Sequence, residues 1–256
     1  MKKLWLALWV CAALLPRAAA LSAAAAVTMD ADTGETLFAE NADSRLPMAS
    51  TTKIMTALVA LGEGDLDRVY TVKKQYAAVE GSSMYLEEGE RLTLRDTLYG
   101  LLLSSGNDAA AAVAGECGGE RAFVDKMNAK ARELGLTDTR FENPSGLPSD
   151  GHYTTARELA KITAAALRDP VFRDIVSTKT CTAAGRTLVN HNRLLSLYEG
   201  AIGVKTGFTR AAGRCLVSAA ERNGRTVIAV TLNDPDDWND HIALLDDAFS
   251  RYSEVT

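Results

Sequence analysis

"RCLVSAAERNGRTVIAVTLN", residues 214–233, places two runs of strand-forming residues on either side of Asn223-Gly224. Asn-Gly suits the two left-handed positions of a two-residue hairpin turn, so the stretch predicts two antiparallel strands. Upstream, "TKTCTA" (178–183), "RTLVN" (186–190) and "AIGVKTGF" (201–208) also read as strands. Near the N-terminus, "AAAAVTMDADTGETLFAEN" (23–41) reads as two short strands joined at Asp32-Thr33-Gly34. Between these groups the texture is helical. Residues 50–62 carry apolar positions nearly all round, which predicts a buried helix. Residues 89–119 begin with a Thr93 cap and hold two helices broken near Ser104–Asn107. Residues 120–135 and 154–170 have 3.6-residue periodicity, the second capped by Thr154 or Thr155 and ending before Pro170. A last helix covers 236–252. The expected fold is α+β: one antiparallel sheet joining the first strands to the late ones, flanked by helices, with an inserted helical subdomain at roughly 62–168.

The totals fit one globular domain over 21–256, with no repeat, linker or second C-terminal domain expected. The chain has 256 residues, 47% hydrophobic and 24% charged, with a net charge of −5. "MKKLWLALWVCAALLPRAAA" at 1–20 has a basic start at Lys2 and Lys3, an apolar core over Leu4–Leu15, and small residues before a cleavage point after Ala20. That layout is a secretory signal peptide, too short before Pro16-Arg17 to span a bilayer. The expected location is therefore extracytoplasmic, with membrane attachment only if the segment is retained. Loss of Lys2, Lys3 and Arg17 would carry the charge from −5 to −8, which argues against nucleic acid as a partner. Cys117, Cys181 and Cys215 would remain, an odd number without a Cys-x-x-Cys, so disulfides do not define the fold. His152, His191 and His241 are isolated and give no metal-ligand spacing; no metal or cofactor is expected.

Ser50 and Lys53 stand one helical turn apart at the head of an apolar helix, in "MASTTKIMTALVAL" (48–61). By themselves they are a helix cap and a solvated lysine; in a site they are a nucleophile and its base. Ser105-Gly106-Asn107 lies in the break between two helices, and Lys205-Thr206-Gly207 at the end of a strand. Each triplet alone carries little weight. Their order and their settings carry more.

Together the three motifs resemble the active-site set of the penicillin-recognising serine enzymes. With "MDADTGETLFAENAD", "LLLSSGNDAA", "FENPSGL", "VNHNRLL" and "GVKTGFTRAAGRCLVSAAERNG", the chain from residue 23 to about 250 is similar to the low-molecular-mass D-alanyl-D-alanine carboxypeptidases. The resemblance implies hydrolysis of the terminal D-alanine from peptidoglycan stem peptides, with β-lactams as inhibitors. It implies Ser50 as nucleophile and Lys53 as a base whose amine is kept neutral by burial and by Lys205. Ser105 would relay the proton to the leaving amine, and Asn107 would hold Lys53 and the substrate backbone. Lys205 and Thr206 would receive the terminal carboxylate, helped by Arg193. Gly207 would let the peptide lie along the strand edge, and the backbone N–H of Phe208 would complete an oxyanion hole with that of Ser50.

Three rivals share parts of this pattern. A class A β-lactamase carries Asp where Gly106 stands and a Glu-x-x-Leu-Asn segment, which none of Glu116, Glu120, Glu133, Glu142, Glu158 or Glu199 begins. A β-lactam sensor would normally be tied to a transmembrane signalling segment, and none is read beyond residue 20. A DD-endopeptidase acting on cross-links has the same motifs and is the nearest alternative.

Overall fold

The computed structural model describes residues 21–253; the expected signal segment at 1–20 lies outside them. β1 (Ala25–Asp30) and β2 (Thr36–Glu40) form the N-terminal hairpin. A short 3-10 turn, Ala49–Thr52, then runs into α1 (Lys53–Gly62). β3 (Val69–Thr71) and β4 (Arg91–Thr93) pair as a ribbon on either side of α2 (Lys74–Ala77). The helical middle comprises α3 (Leu94–Leu102), α4 (Asn107–Glu116), α5 (Glu120–Glu133), α6 (Ala156–Leu167) and α7 (Pro170–Ser177). A second ribbon, β5 (Thr180–Ala183) with β6 (Arg186–Val189), leads through α8 (Leu194–Leu197) into β7 (Ala201–Thr209). β8 (Gly213–Arg222), β9 (Arg225–Leu232) and α9 (Asp237–Ser253) complete the described chain.

The main sheet has the order β2-β1-β9-β8-β7, antiparallel throughout. The early hairpin joins the late strands, as the sequence predicts. Asn223 (φ 52°) and Gly224 (φ 73°) turn the β8–β9 hairpin with Arg222 opposite Arg225. Strand alternation sends Leu216, Ala220, Val227 and Ala229 towards Leu244, Leu245 and Ala248 of α9. Val217, Ala219, Ile228 and Val230 join the larger core under the helical middle. Both faces of β8 and β9 are thus covered, which explains why their sequences are apolar runs rather than alternating ones. Each Val, Leu or Ile buried this way contributes about 1.5–3 kcal/mol.

Helix ends follow local chemistry. Thr93 and Asp96 make a reciprocal capping box on α3, and Thr155 caps α6 through the Glu158 N–H. Pro170 does more than end α6. Asp169 caps α7, and Pro170 occupies its first turn, where a missing N–H costs nothing. No disulfide is formed among the described residues: Cys117, Cys181 and Cys215 are free.

Candidate active site

Ser50 sits in the 3-10 turn, and α1 proper begins at Lys53. The residue before the serine, Ala49, has φ 47°, a conformation that costs an alanine about 1–2 kcal/mol. Three hydroxyl-centred contacts hold the turn. Thr51 Oγ1 donates to Met48 O at 2.6 Å and Thr52 Oγ1 to Ala49 O at 2.8 Å. His152 Nδ1 accepts from the Glu142 N–H at 3.1 Å, so its proton lies on Nε2, 2.8 Å from Thr52 Oγ1. Burial pushes this histidine down to about 4, and it stays neutral. Gly146 passes so close that a Cβ there would stand 1.9 Å from Ala49 O.

Lys53 is completely buried. Its Nζ lies 2.8 Å from Asn107 Oδ1, 2.7 Å from Ser145 O and 3.0 Å from Ser50 Oγ. A neutral amine has two N–H groups and one lone pair. The amide and carbonyl oxygens consume the two donors, and the lone pair is left for the serine hydroxyl. Burial first, then the charge of Lys205, holds the amine well below its ordinary range, against an opposing pull from Asp108.

The break between α3 and α4 supplies the second motif. Ser105 adopts φ 59° and lines the cleft beside Ser50. Asn107 is fixed through Nδ2, which donates to Glu80 O at 2.7 Å, and through its N–H to Ser82 O at 2.7 Å. Buried Asp108 accepts from the Ser83 hydroxyl and from the N–H groups of Met84 and Leu86. It therefore fastens the 80–86 segment over α4.

The third motif lies on β7, the edge strand nearest the nucleophile. Lys205 is 1% exposed and donates from Nζ to Thr206 O at 2.9 Å; burial lowers its pKa to about 7. A Cβ on Gly207 would meet Ser50 N at 3.0 Å and Thr51 N at 3.1 Å. The space left by the glycine is thus taken by the nucleophile's own backbone. Phe208 is 67% exposed at the mouth.

A cleft of about 450 Å³ joins these parts, lined by Ser50, Ser105, Thr206, Gly207 and Phe208. Lys53, Asn107 and Lys205 stand buried behind it. Arg193 is not among the lining residues. It borders a different cavity, with its guanidinium 5.8 Å from the Trp238 ring. The far wall is instead made by His191, Arg214, Asp237 and Trp238, with Arg214 ion-paired to Asp237 at 2.7 Å. Sequence reasoning passed over these four and Ser82. His191 sits two residues from Arg193 in the same "VNHNRLL" stretch, and that nearness was the available signal.

The sequence profile of peptidase family S11, D-alanyl-D-alanine carboxypeptidase, matches residues 12–236. A D-alanyl-D-alanine carboxypeptidase of Bacillus subtilis is 40% identical over 245 residues, covering 90% of this chain and 63% of that protein. One from Streptomyces sp. strain K15 is 40% identical over 235 residues, covering 83% of this chain and 81% of its own length. The crystal structure of the Streptomyces K15 DD-transpeptidase superposes with a TM-score of 0.85 at 38% identity, over 90% of this chain and 98% of that one. A serine–lysine pair set as above, inside a fold shared over 90% of the chain, identifies it as a member of the D-alanyl-D-alanine carboxypeptidase family of serine peptidases.

Proposed function

We propose that this chain removes the terminal D-alanine from peptidoglycan stem peptides through an acyl-enzyme on Ser50, and that β-lactams acylate the same serine. The observation that carries the reading is the Lys53 amine, with two acceptors at 2.7 and 2.8 Å and the serine oxygen at 3.0 Å. Ser50 Oγ attacks the carbonyl of the penultimate D-alanine while its proton passes to Lys53 Nζ. The backbone N–H groups of Ser50 and Phe208 receive the oxyanion. The proton then passes from Lys53 through the Ser105 hydroxyl to the departing D-alanine nitrogen, which breaks the amide, leaves the ester on Ser50 and returns Lys53 to its neutral form. Water then attacks the ester with Lys53 again as base, which restores Ser50. Lys205, charged when it meets a carboxylate, and the Thr206 hydroxyl hold the C-terminus of the substrate.

Slow loss of a β-lactam acyl group is expected because the amine freed on ring opening stays tethered to the acyl group in the cleft, whereas D-alanine departs and leaves room for water. We assign the site of action to the extracytoplasmic space on the Lys2-Lys3 start and the Leu4–Leu15 apolar run; a mature N-terminus at Leu21 is the expected result of N-terminal sequencing. Peptide mapping after benzylpenicillin treatment tests the chemistry. The expected result is one stable adduct, on Ser50, together with D-alanine release from a peptide ending in D-Ala-D-Ala. An adduct on another residue overturns the assignment. Cleavage of a cross-linked dimer in preference to that peptide places the chain with the endopeptidases.

A further inference from the structure

The cavity bordered by Arg193 has a volume of about 290 Å³. It lies one step along the chain from the cleft: His191 lines the cleft, and Asn192 and Arg193 line this cavity. Two residues of chain span at most about 7 Å, so the two cavities are neighbours. The charge in this one is one-sided. Among the described residues, Lys179 and Arg193 line it and no carboxylate does, in a chain with 33 acidic and 28 basic residues. Lys179 is exposed, and its ammonium has no hydrogen bond or ion pair among the described residues. The Arg193 guanidinium lies 5.8 Å from the Trp238 ring and pairs with no carboxylate among the described residues.

Two asparagines line the same cavity, and they differ. Asn190 Nδ2 donates to Val176 O and Thr178 O, each at 3.1 Å. Asn192 is 3% exposed, and its Oδ1 accepts from the Leu194 N–H at 3.0 Å. Its buried Nδ2 has no hydrogen-bond partner among the described residues. An amide fixed at its oxygen and unpaired at its nitrogen needs an acceptor. Val189 and Leu197, both exposed, supply apolar wall. Two free cations and an unpaired donor, with no acid to answer them, suit an oxyanion. We infer that this cavity binds a carboxylate or phosphate carried on a short apolar group, at a site separate from the catalytic cleft. On the carboxypeptidase reading the substrate is a wall polymer that repeats such anions. A second hold beside the cleft would raise the local concentration of its reactive ends.

The test titrates isotope-labelled protein with Nα-acetyl-D-alanine, with glycerol phosphate and, as a neutral control, with Nα-acetyl-D-alanine methylamide. NMR follows the Asn192 side-chain amide signal, assigned by its loss in Asn192→Ser. One or both anions should shift that signal, and the methylamide should not. The anion that binds more tightly names the source, a stem-peptide carboxylate or a phosphate polymer. Lys179→Gln and Arg193→Gln should each weaken binding about 2- to 5-fold, as loss of an exposed ion pair does, and the double variant by about the product. D-alanine release from a soluble peptide should change by less than about twofold in the double variant, because neither side chain lines the cleft. No shift with either anion overturns the inference. So does an equal shift with the methylamide, or with chloride at the same ionic strength, and so does unchanged affinity in the double variant. The readout does not use Ser50, so a parent that releases no D-alanine overturns the carboxypeptidase reading and leaves this site standing.

Discussion

Lys53 and His241 are both fully buried bases, one on α1 and the other on α9, and they are held in opposite ways. His241 lies between two hydroxyls, 2.6 Å from Ser218 Oγ and 2.9 Å from Thr231 Oγ1. A neutral imidazole has one donor and one acceptor, so these partners satisfy it. Burial pushes it down to about 3. Near pH 7 it is largely neutral whether folded or not, and its burial carries little titration cost. Burial and the charge of Lys205 hold Lys53 well below its range in the unfolded chain, and burial lowers Lys205 to about 7, so both lysines carry a titration cost on folding near neutrality. The α9 network stabilises the fold. The lysine pair destabilises it near neutrality, and what the molecule gains is a base in contact with a serine.

Replacing each base separates the two roles most strongly. In Lys53→Met, acylation by benzylpenicillin should fall about 10²- to 10⁴-fold, the range expected for loss of a general base; stopped-flow or gel-based labelling measures it. The same variant should change how stability depends on pH. A lysine depressed in the folded state contributes stability that is complete above its unfolded pKa and is lost as pH falls. Stability of the parent should therefore rise from pH 8 towards 10, and the slope should drop by about 1.4 kcal/mol per pH unit in Lys53→Met. Urea unfolding at pH 8 and 9.5 reads this.

The next effect is on stability alone. His241→Phe strands Ser218 Oγ and Thr231 Oγ1 and should cost about 2–4 kcal/mol at pH 7, with penicillin acylation of the folded fraction retained. In acid the sign is also defined. His241 and His152 are depressed to about 3 and about 4, so their stability contribution is lost as pH falls below about 6.5. Between pH 6 and 5 the parent should lose stability faster than the variant, by about 1.4 kcal/mol per unit for the one missing histidine.

Smaller effects belong to the substrate end. Thr206→Val removes one charge-assisted contact to the terminal carboxylate and should cost about 1.5–3 kcal/mol in kcat/KM, with less loss on a substrate whose terminus is amidated. Smallest is Arg193→Ala. Its guanidinium lies outside the cleft lining, so peptide turnover should change by less than about twofold, the scale of an exposed contact. A tenfold loss there would return Arg193 to the carboxylate site.

Much of the framework was legible because it rests on local rules. The Asn223-Gly224 turn, the Thr93 and Thr155 caps, and the three triplets all speak within a few residues of themselves. The three-residue strands β3 and β4 are too short to show a period, and α7 was hidden because Pro170 was read as a stop when it is also a start. In the site, Ser50, Lys53, Ser105, Asn107 and Lys205–Phe208 come together as their motifs imply. His191, Arg214, Asp237 and Trp238 reach one wall from three separate segments, and no spacing along the chain encodes that meeting. Gly207 also meets a close approach that no spacing encodes, from the backbone N–H groups of Ser50 and Thr51.

The position of β1 in the sheet has a consequence in time. Ala25 pairs with Leu232, and Asp30 with Val227, so the strand made first finds its inner neighbour among the last to be made. Until β9 emerges from the ribosome, β1 has only the exposed β2 to pair with, and a lone two-stranded hairpin is marginal in water. Sheet assembly therefore waits for nearly the whole chain and must then close a very long loop, which slows folding. A synthesised chain stopped short of residue 225 should remain open to proteases and chaperones, and one carried past residue 232 should become resistant.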